Sequence, residues 1–246
     1  MSMKVDHITF SRSGGAGQVA RVLSQEQLKL GLDSRLVSFF ERGIVDDAVK
    51  NPLLTLAALL DRLVTSRLGN RQLTSLFRSK IRLLRSSDLR KDSVLHLHWM
   101  SGVADLKWLI KLGLNERRII WTLHDMAPFT GFCHQSEGCR GFETGCKKCP
   151  IATHLVQGKI ESQFKSNFDL ISNFPRLTVV APSNWMASLA KSSLMFKGLP
   201  VHTIDNPIRN EFFEVSLDAK RAREFLGLDP GIFVVAQIAS DLLDPN

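Results

Sequence analysis

The sequence lacks the features that would direct a chain across or into a membrane. Its first residues, MSMKVDH, contain no charged segment followed by an apolar one, as a secretion signal would. No apolar run approaches the roughly 20 residues that a membrane-spanning helix needs. With 246 residues, 44% of them hydrophobic, the chain is long enough to bury a large core. We therefore expect a cytoplasmic protein of one or two domains.

Cysteine is absent outside one short segment, where four residues follow the pattern C-x5-C-x6-C-x2-C: Cys133, Cys139, Cys146 and Cys149. A reducing cytoplasm disfavours disulfides, and the closing Cys-x-x-Cys is a usual two-ligand turn for tetrahedral zinc. Four thiolates leave no open position, so such a zinc would stabilise the loop and take no part in catalysis. Two disulfides, free thiols and an iron–sulfur cluster remain alternatives, and His134 is a candidate substitute ligand.

Acidic residues are nearly missing from residues 62–91. This segment has nine basic residues and one acid, Asp88, and accounts for the whole net charge of +8. Residues 51–91 are predicted to form two helices divided at Gly69 and Asn70, and one face of the second bears four arginines: Arg71, Arg78, Arg82 and Arg85. Such a helix can lie on an anionic membrane surface, or it can cover a sheet with its arginines in water. No aromatic residues interleave with the arginines, so we expect no nucleic-acid partner.

Short apolar runs alternate with helical patterns along the rest of the chain. Strands are predicted at residues 4–10, 36–40, 94–99, 119–123, 177–181, 201–204 and 232–239. This alternation predicts an α/β fold with a Rossmann-like, mostly parallel sheet. No helix follows the last predicted strand. We therefore expect one domain over residues 1–207, a connector over 208–230, and the first elements of a second Rossmann-like domain, cut off early, over 231–246.

A glycine-rich turn follows the first predicted strand and opens the first helix, with Gly14, Gly15, Ala16 and Gly17. Glycines at this place let the backbone approach a ligand, and the free N–H groups of the helix favour phosphate. The turn does not match G-x-G-x-x-G, and no acidic residue ends the second strand, so a dinucleotide fingerprint is excluded. A tight turn that serves packing alone remains an alternative.

Polar residues end two further predicted strands. His124 and Asp125 follow the run at residues 119–123, and His98 ends the run before it. Ligands of open α/β sheets bind at the carboxyl ends of the strands. We interpret His124 as a hydrogen-bond donor to a sugar or as an acid or base, held by Asp125, with His98 opening onto the same crevice. A buried histidine with a purely structural role is the alternative.

Several motifs together resemble a known family. The segment WTLHDMAPFTG at residues 121–131 precedes the four cysteines, and the flanking motifs are GGAG, HLHW, APSNW and IDNPI. They resemble the family 4 (group 1) glycosyltransferases, bacterial GT-B enzymes, in the branch that serves exopolysaccharide and colanic-acid-like biosynthesis. The resemblance spans nearly the whole chain and corresponds to the N-terminal domain of such an enzyme.

The resemblance implies a hexosyltransferase-type enzyme that moves a sugar from a nucleotide diphosphate sugar to a glycan or lipid-linked acceptor, with retention at the anomeric carbon. It implies that Gly14 and Gly15 approach the donor diphosphate and acceptor, that His124 contacts the donor sugar, and that Asn206 lies near the hinge. No cofactor is implied for the chemistry. Enzymes of this family dock on the inner face of the cytoplasmic membrane, and the resemblance implies that the basic segment 62–91 serves this purpose.

The sequence departs from this family where a second domain should supply a basic pair and a carboxylate to the donor. The chain reaches Asn246 without them. We therefore expect little or no transferase activity from this chain alone. The competing hypotheses are a non-catalytic, zinc-stabilised module that binds a membrane or partner, and an unrelated α/β enzyme that uses His124.

Overall fold

The computed structural model describes residues 2–40, 88–100, 106–150, 152, 154–214 and 218–235. Six strands lie in this part of the chain: β1 (Lys4–Ser11), β2 (Asp33–Phe40), β3 (Val94–Leu97), β4 (Ile119–Thr122), β5 (Leu177–Ala181) and β6 (Val201–Thr203). The α-helices are α1 (Gly14–Lys29), α2 (Leu106–Lys111), α3 (His154–Ile171), α4 (Asn184–Ser192), α5 (Glu211–Glu214) and α6 (Ala219–Leu226). Two short 3-10 helices, Ala127–Phe129 and Gly141–Glu143, lie between β4 and α3.

The six strands form one parallel sheet in the order β2-β1-β3-β4-β5-β6. The α/β class and the Rossmann-like parallel sheet predicted from the sequence are thereby confirmed. Strand order reverses between β1 and β3, because β2 lies on one side of β1 and all later strands lie on the other. In doubly wound sheets a crevice forms at this reversal, outside the carboxyl ends of the strands.

Strand β3 shows how this sheet is covered on both faces. Successive side chains of a strand point to opposite faces. Leu95 and Leu97 are fully buried on one face, where they join an apolar cluster with Ile8 and Leu109. His96, which lies between them, points to the opposite face and is also buried, as is His98 just after the strand. One face of the sheet at β3 therefore packs against apolar side chains, and the opposite face carries buried imidazoles.

Asp6 organises the other end of β1. Its side chain has no exposed surface, and its carboxylate accepts hydrogen bonds from Arg35 Nε at 2.7 Å, Arg90 Nε at 2.9 Å and Ser93 Oγ at 2.7 Å. Burial opposes ionisation, but these bonds outweigh it and lower the pKa of Asp6 below its usual value. Arg90, one of the basic residues counted in 62–91, thus contributes to the interior of the fold.

The chain divides into two compact units, Met1–Pro207 and Ile208–Asn246. The first contains the whole sheet. In the second, α6 begins where Asp218 Oδ1 accepts a hydrogen bond from Arg221 N and ends at Gly227, whose φ is +66°. That the second unit begins another Rossmann-like domain stays a prediction.

One predicted strand does not form where it is described, and other predicted elements lie outside the described residues. A strand was expected over residues 232–239, but residues 232–235 form no strand, and the side chain of Phe233 is 91% exposed. Apolar composition does not make a strand where no neighbouring strand supplies hydrogen bonds. Residues 236–239 lie outside the described part, as do residues 51–87 of the two helices predicted over 51–91, which include Arg71, Arg78, Arg82 and Arg85.

No described helix combines the length and the apolar character that crossing a membrane requires.

Candidate functional site

A cavity of about 400 Å³ opens at the carboxyl ends of β1, β3 and β4, beside the reversal of strand order. We call it the glycine-loop cavity. Its volume falls in the range that suits small-molecule ligands. It is lined by Thr9, Phe10, Ser11, Ser13, Gly14, Gly15, Ala16, Gly17, Trp99, His124 and Asp125. None of these lining side chains is a lysine or an arginine, and Asp125 is the one carboxylate among them.

The glycines of this turn serve two different purposes. A Cβ on Gly17 would lie 2.3 Å from Ser11 O, so Gly17 is required for close packing of α1 against the end of β1. A Cβ on Gly15 would meet no atom within 4 Å, and Gly15 therefore leaves open space in the cavity. The packing alternative considered from the sequence explains Gly17, while Gly15 leaves room for a ligand.

The amino end of α1 faces this cavity without a side-chain cap. Ser13 occupies the capping position, but its side chain makes no capping hydrogen bond and instead bonds to Ser11 Oγ at 2.8 Å. The first N–H groups of a helix have no partners within the helix, and the helix dipole adds partial positive charge there. This end of α1 can therefore receive an anionic or hydroxyl oxygen of a ligand.

His124 is connected to the interior by a chain of three hydrogen bonds. His124 Nε2 lies 3.1 Å from His98 Nδ1, and His98 Nε2 lies 3.0 Å from His7 Nδ1. His7 Nε2 in turn lies 2.9 Å from Gln27 Oε1 on α1. We call these four residues the histidine relay. It begins at the wall of the glycine-loop cavity and ends on α1.

The imidazoles of the relay are neutral near pH 7. Burial lowers the pKa of His124 to about 4, and the charge of Asp125 only partly opposes this shift. Burial also places the pKa of His98 well below its usual value and lowers that of His7. A neutral imidazole has one N–H donor and one lone-pair acceptor. Each ring of the relay therefore donates on one side and accepts on the other.

A third buried histidine, His96, lies beside the relay. Its ring is stacked 4.3 Å from that of His98, and its Nε2 lies 2.7 Å from Thr122 Oγ1. Burial lowers the pKa of His96 to about 3. Within the described ranges, His7, His96 and His98 form the one set of potential metal ligands whose ligand atoms all lie within 4.8 Å of one another.

Asp125 fixes the loop after β4 and does not support His124. Its Oδ2 accepts hydrogen bonds from Trp99 Nε1 at 2.6 Å and from His134 Nδ1 at 2.5 Å, and its Oδ1 accepts one from Ala127 N at 2.9 Å. The sequence-based expectation that Asp125 holds His124 by a hydrogen bond is therefore wrong. His98 has this role, and Asp125 positions the indole of Trp99 in the cavity wall.

The structure brings together some of the predicted site residues. Gly14, Gly15, Ala16, Gly17, His124 and Asp125 line one cavity. His98 is 1% exposed and lies behind His124, so it contacts the cavity only through that residue. Asn206 is exposed and is not part of the cavity wall. Sequence reasoning missed His7, Gln27 and Trp99, although the alternation of His96 in β3 with His98 just after it was a signal for a buried polar face.

The four cysteines meet at a second, much smaller cavity of about 20 Å³, which we call the cysteine cavity. This volume accommodates about one water-sized particle. No disulfide joins these four cysteines, and Gly141 N donates a hydrogen bond to Cys139 Sγ at 3.3 Å. The disulfide alternative is thus not the state seen here. His134 does not line this cavity, and its Nδ1 is bonded to Asp125.

Helix α3 anchors the cysteine loop through Gln157. Its Oε1 accepts a hydrogen bond from Cys149 N at 2.9 Å, and its Nε2 donates to Cys146 O at 3.2 Å and Lys147 O at 2.7 Å. The hydrogen bond with Cys149, together with burial, raises the pKa of the Cys133 thiol, and burial raises that of Cys146 to about 11. Without a metal the thiols of Cys133 and Cys146 therefore stay protonated at neutral pH, and a bound cation would have to displace their protons.

The structure is a Rossmann-like α/β unit with a cavity beside its reversal of strand order. Over 162 residues the chain is 30% identical to the putative colanic acid biosynthesis glycosyl transferase WcaC of Escherichia coli (strain K12). The match covers 60% of this chain and 39% of that protein, so the chain spans well under half the length of the curated relative. This similarity supports a relationship to glycosyltransferases. No family model and no solved structure matches the chain.

Proposed function

We propose that this chain is part of a glycosyltransferase that takes a sugar from a nucleotide diphosphate sugar. The proposed acceptor is a glycan or a lipid-linked glycan in the synthesis of a surface polysaccharide. The observation that carries the proposal is the glycine-loop cavity, where the uncapped end of α1 and the imidazole of His124 meet. The similarity to WcaC, which is named for colanic acid biosynthesis, supports the same class of reaction.

The two polar walls of the cavity suit two parts of such a substrate. Backbone N–H groups at the start of α1 suit phosphate or hydroxyl oxygens, and Gly15 leaves space for their approach. His124 and Trp99 suit a sugar, because a neutral imidazole can bond to a hydroxyl group and an indole can pack on a sugar ring. Catalysis would consist mainly of orientation and of stabilising charge at the reacting centre.

The charge of the departing diphosphate calls for cations that the described part of the cavity wall does not contain. Among the described residues that line the cavity there is no lysine or arginine. An unneutralised diphosphate would raise the barrier by several kcal/mol, or orders of magnitude in rate. We therefore propose that the chain of 246 residues, assayed alone, turns over slowly or not at all.

A transfer assay tests this function. The complete reading frame that contains this chain is incubated with a panel of nucleotide sugars and with lipid-linked or oligosaccharide acceptors, and the product is analysed by NMR. We expect transfer with retention at the anomeric carbon. Binding without any transfer across the panel would instead favour a non-catalytic binding module. Rapid turnover by the 246-residue chain alone would contradict the proposed need for further cations.

We also propose that the cysteine cavity holds a structural zinc ion. Four thiols line a cavity of about 20 Å³ and together could supply a tetrahedral donor set, and Gly141 N donates to the sulfur of Cys139. Among these four described cysteines, no three sulfurs all lie within 4.8 Å of one another, so a zinc ion would have to draw them together. A zinc ion would fix the loop that carries Phe129 and Phe142 into the apolar core. Metal analysis of the purified chain should give about one zinc per chain. Cys149→Ser should lower that content, whereas His134→Gln, outside the cavity, should leave it unchanged.

Peripheral attachment to the cytoplasmic membrane face is a separate proposal. It depends on the arginines of the segment 62–91, which lie outside the described residues, and on the lipid-linked acceptor proposed above. Sedimentation with anionic liposomes tests it. Replacing Arg71, Arg78, Arg82 and Arg85 with alanine should abolish the cosedimentation, and unchanged cosedimentation would show that these arginines are ordinary surface residues.

A further inference from the structure

We propose that the histidine relay fixes the tautomer of His124, so that the ring presents a hydrogen-bond acceptor, Nδ1, to the ligand. Gln27, His7 and His98 would then be positioning residues for His124. The consequence for sugar recognition rests on the proposed function, but the tautomer itself does not. The inference follows from the order of donors and acceptors along the relay.

The direction of the relay is set at its inner end. Gln27 Oε1 is an acceptor, so His7 Nε2, 2.9 Å away, must carry the proton. Because His7 is neutral, its Nδ1 is then a lone pair, and His98 Nε2 must donate to it at 3.0 Å. His98 Nδ1 becomes an acceptor in the same way, and His124 Nε2 donates to it at 3.1 Å.

His124 is left with an unprotonated Nδ1. The described residues contain no hydrogen-bond partner for this nitrogen, and the ring itself lines the glycine-loop cavity. A lone pair at this place can accept a hydrogen bond from a ligand hydroxyl group and cannot donate one to a phosphate oxygen. His124 would therefore select the sugar part of a nucleotide sugar, and the start of α1 would be left to the phosphates.

A metal ion is the competing explanation for buried histidines at this distance. Two nitrogens that both bind a tetrahedral zinc at about 2.0–2.1 Å lie about 3.3 Å apart. The observed distance between His98 Nε2 and His7 Nδ1 is 3.0 Å, which is the length of a hydrogen bond. The relay also uses both ring nitrogens of His7 and of His98, so neither ring has a lone pair to give to a metal.

The tautomer can be measured directly by long-range ¹H–¹⁵N NMR of the ¹⁵N-labelled chain at pH 7. The spectrum shows which ring nitrogen of each histidine carries the proton, and the signals of His124 are assigned by their loss in His124→Gln. We expect His124, His98 and His7 all to be Nε2–H tautomers. A dominant Nδ1–H form of His124, or an equal mixture of the two forms, would overturn the proposal. This measurement needs no substrate, so it can succeed even if the proposed transferase function fails.

Three variants of α1 test whether Gln27 sets the direction. Gln27→Glu keeps an acceptor and should leave His124 as the Nε2–H form, whereas Gln27→Leu removes the acceptor and should give a mixture of tautomers. Gln18→Leu is the matched control, because Gln18 lies on the same helix, is exposed and bonds only to Arg21. A switch of the His124 tautomer in Gln27→Glu would show that the amide of Gln27 donates to His7 and that the relay runs in the opposite direction.

A zinc titration separates the relay from a metal site. The ring signals of His7, His96 and His98 should not move when the cysteine cavity is saturated with Zn²⁺. A shift of these three sets of signals to metal-bound positions would replace the relay with a histidine metal site.

Discussion

His98 Nδ1 lies 3.1 Å from His124 Nε2, and this contact joins two strands of the sheet through their carboxyl ends. His98 follows β3 and His124 follows β4, which are hydrogen-bonded neighbours. One imidazole lines the glycine-loop cavity, and the other is buried behind it. The properties of the cavity are therefore partly determined by residues that no ligand can touch.

Acidification should destabilise this fold through its buried histidines. Because the folded-state pKa values of His96, about 3, and His124, about 4, lie below the ordinary 6.5, the unfolded chain binds more protons. Their stabilising contribution is complete above pH 6.5 and is lost as pH falls below it. Each histidine contributes a slope of about 1.4 kcal/mol per pH unit in the free energy of unfolding.

Urea unfolding at several pH values between 7 and 4.5 measures this slope. His96→Gln should reduce the slope by about one proton, and His202→Gln, at an exposed position, should not change it. A free energy of unfolding that stays constant over this range would contradict the neutral, buried state of the histidines.

Asp6→Asn should destabilise the first unit by about 3 kcal/mol. The substitution removes a buried carboxylate that accepts bonds from Arg35, Arg90 and Ser93, and it leaves the Arg90 side chain, 20% exposed, with Asp33 as its remaining carboxylate partner. The midpoint of urea unfolding at pH 7 measures the effect. Glu26→Gln is the control, since Glu26 pairs with Lys29 on the surface of α1 and should contribute less than about 1 kcal/mol. If the two substitutions lowered the free energy of unfolding equally, the hydrogen bonds of Asp6 would not stabilise the interior more than a surface ion pair does.

Gly17→Ala and Gly15→Ala should separate packing from ligand binding. An alanine at position 17 would overlap Ser11 O, so we expect a loss of about 1–3 kcal/mol in the free energy of unfolding. An alanine at position 15 meets no protein atom and should fold normally, but its methyl group would occupy space in the cavity. Thermal unfolding measures the first effect, and affinity for a nucleotide sugar measures the second. If Gly15→Ala lost stability but kept its full ligand affinity, Gly15 would serve packing and would not provide space for a ligand.

Much of the sheet and part of the site could be predicted from the sequence because both depend on local patterns. Apolar runs of strand length gave β1 and β3–β6 within a few residues. Ser183, a residue type that favours the first position before a helix, caps α4, with its Oγ 3.2 Å from Met186 N. The carboxyl ends of neighbouring parallel strands lie together, which brings His98 close to His124.

The remaining parts depend on contacts between distant residues. His7 is 91 residues from His98, and Asp6 is 84 residues from Arg90, so neither pairing leaves a local pattern. Asp125 was assigned to its neighbour His124 because the two are adjacent in sequence, but its carboxylate is directed to Trp99 and His134. Adjacency along the chain does not determine which way a side chain in a loop points.

The most direct test of the central claim is the effect of His124→Ala on sugar transfer by the complete reading frame. Losing a hydrogen bond to the reacting sugar should lower kcat/KM by roughly 10- to 100-fold, which corresponds to about 1.4–2.7 kcal/mol. His202→Ala is the control, and the thermal unfolding midpoint confirms that each variant is folded. We predict that His124→Ala is folded and impaired, while His202→Ala is folded and active. Full activity in folded His124→Ala would contradict the assignment of the glycine-loop cavity as the sugar site.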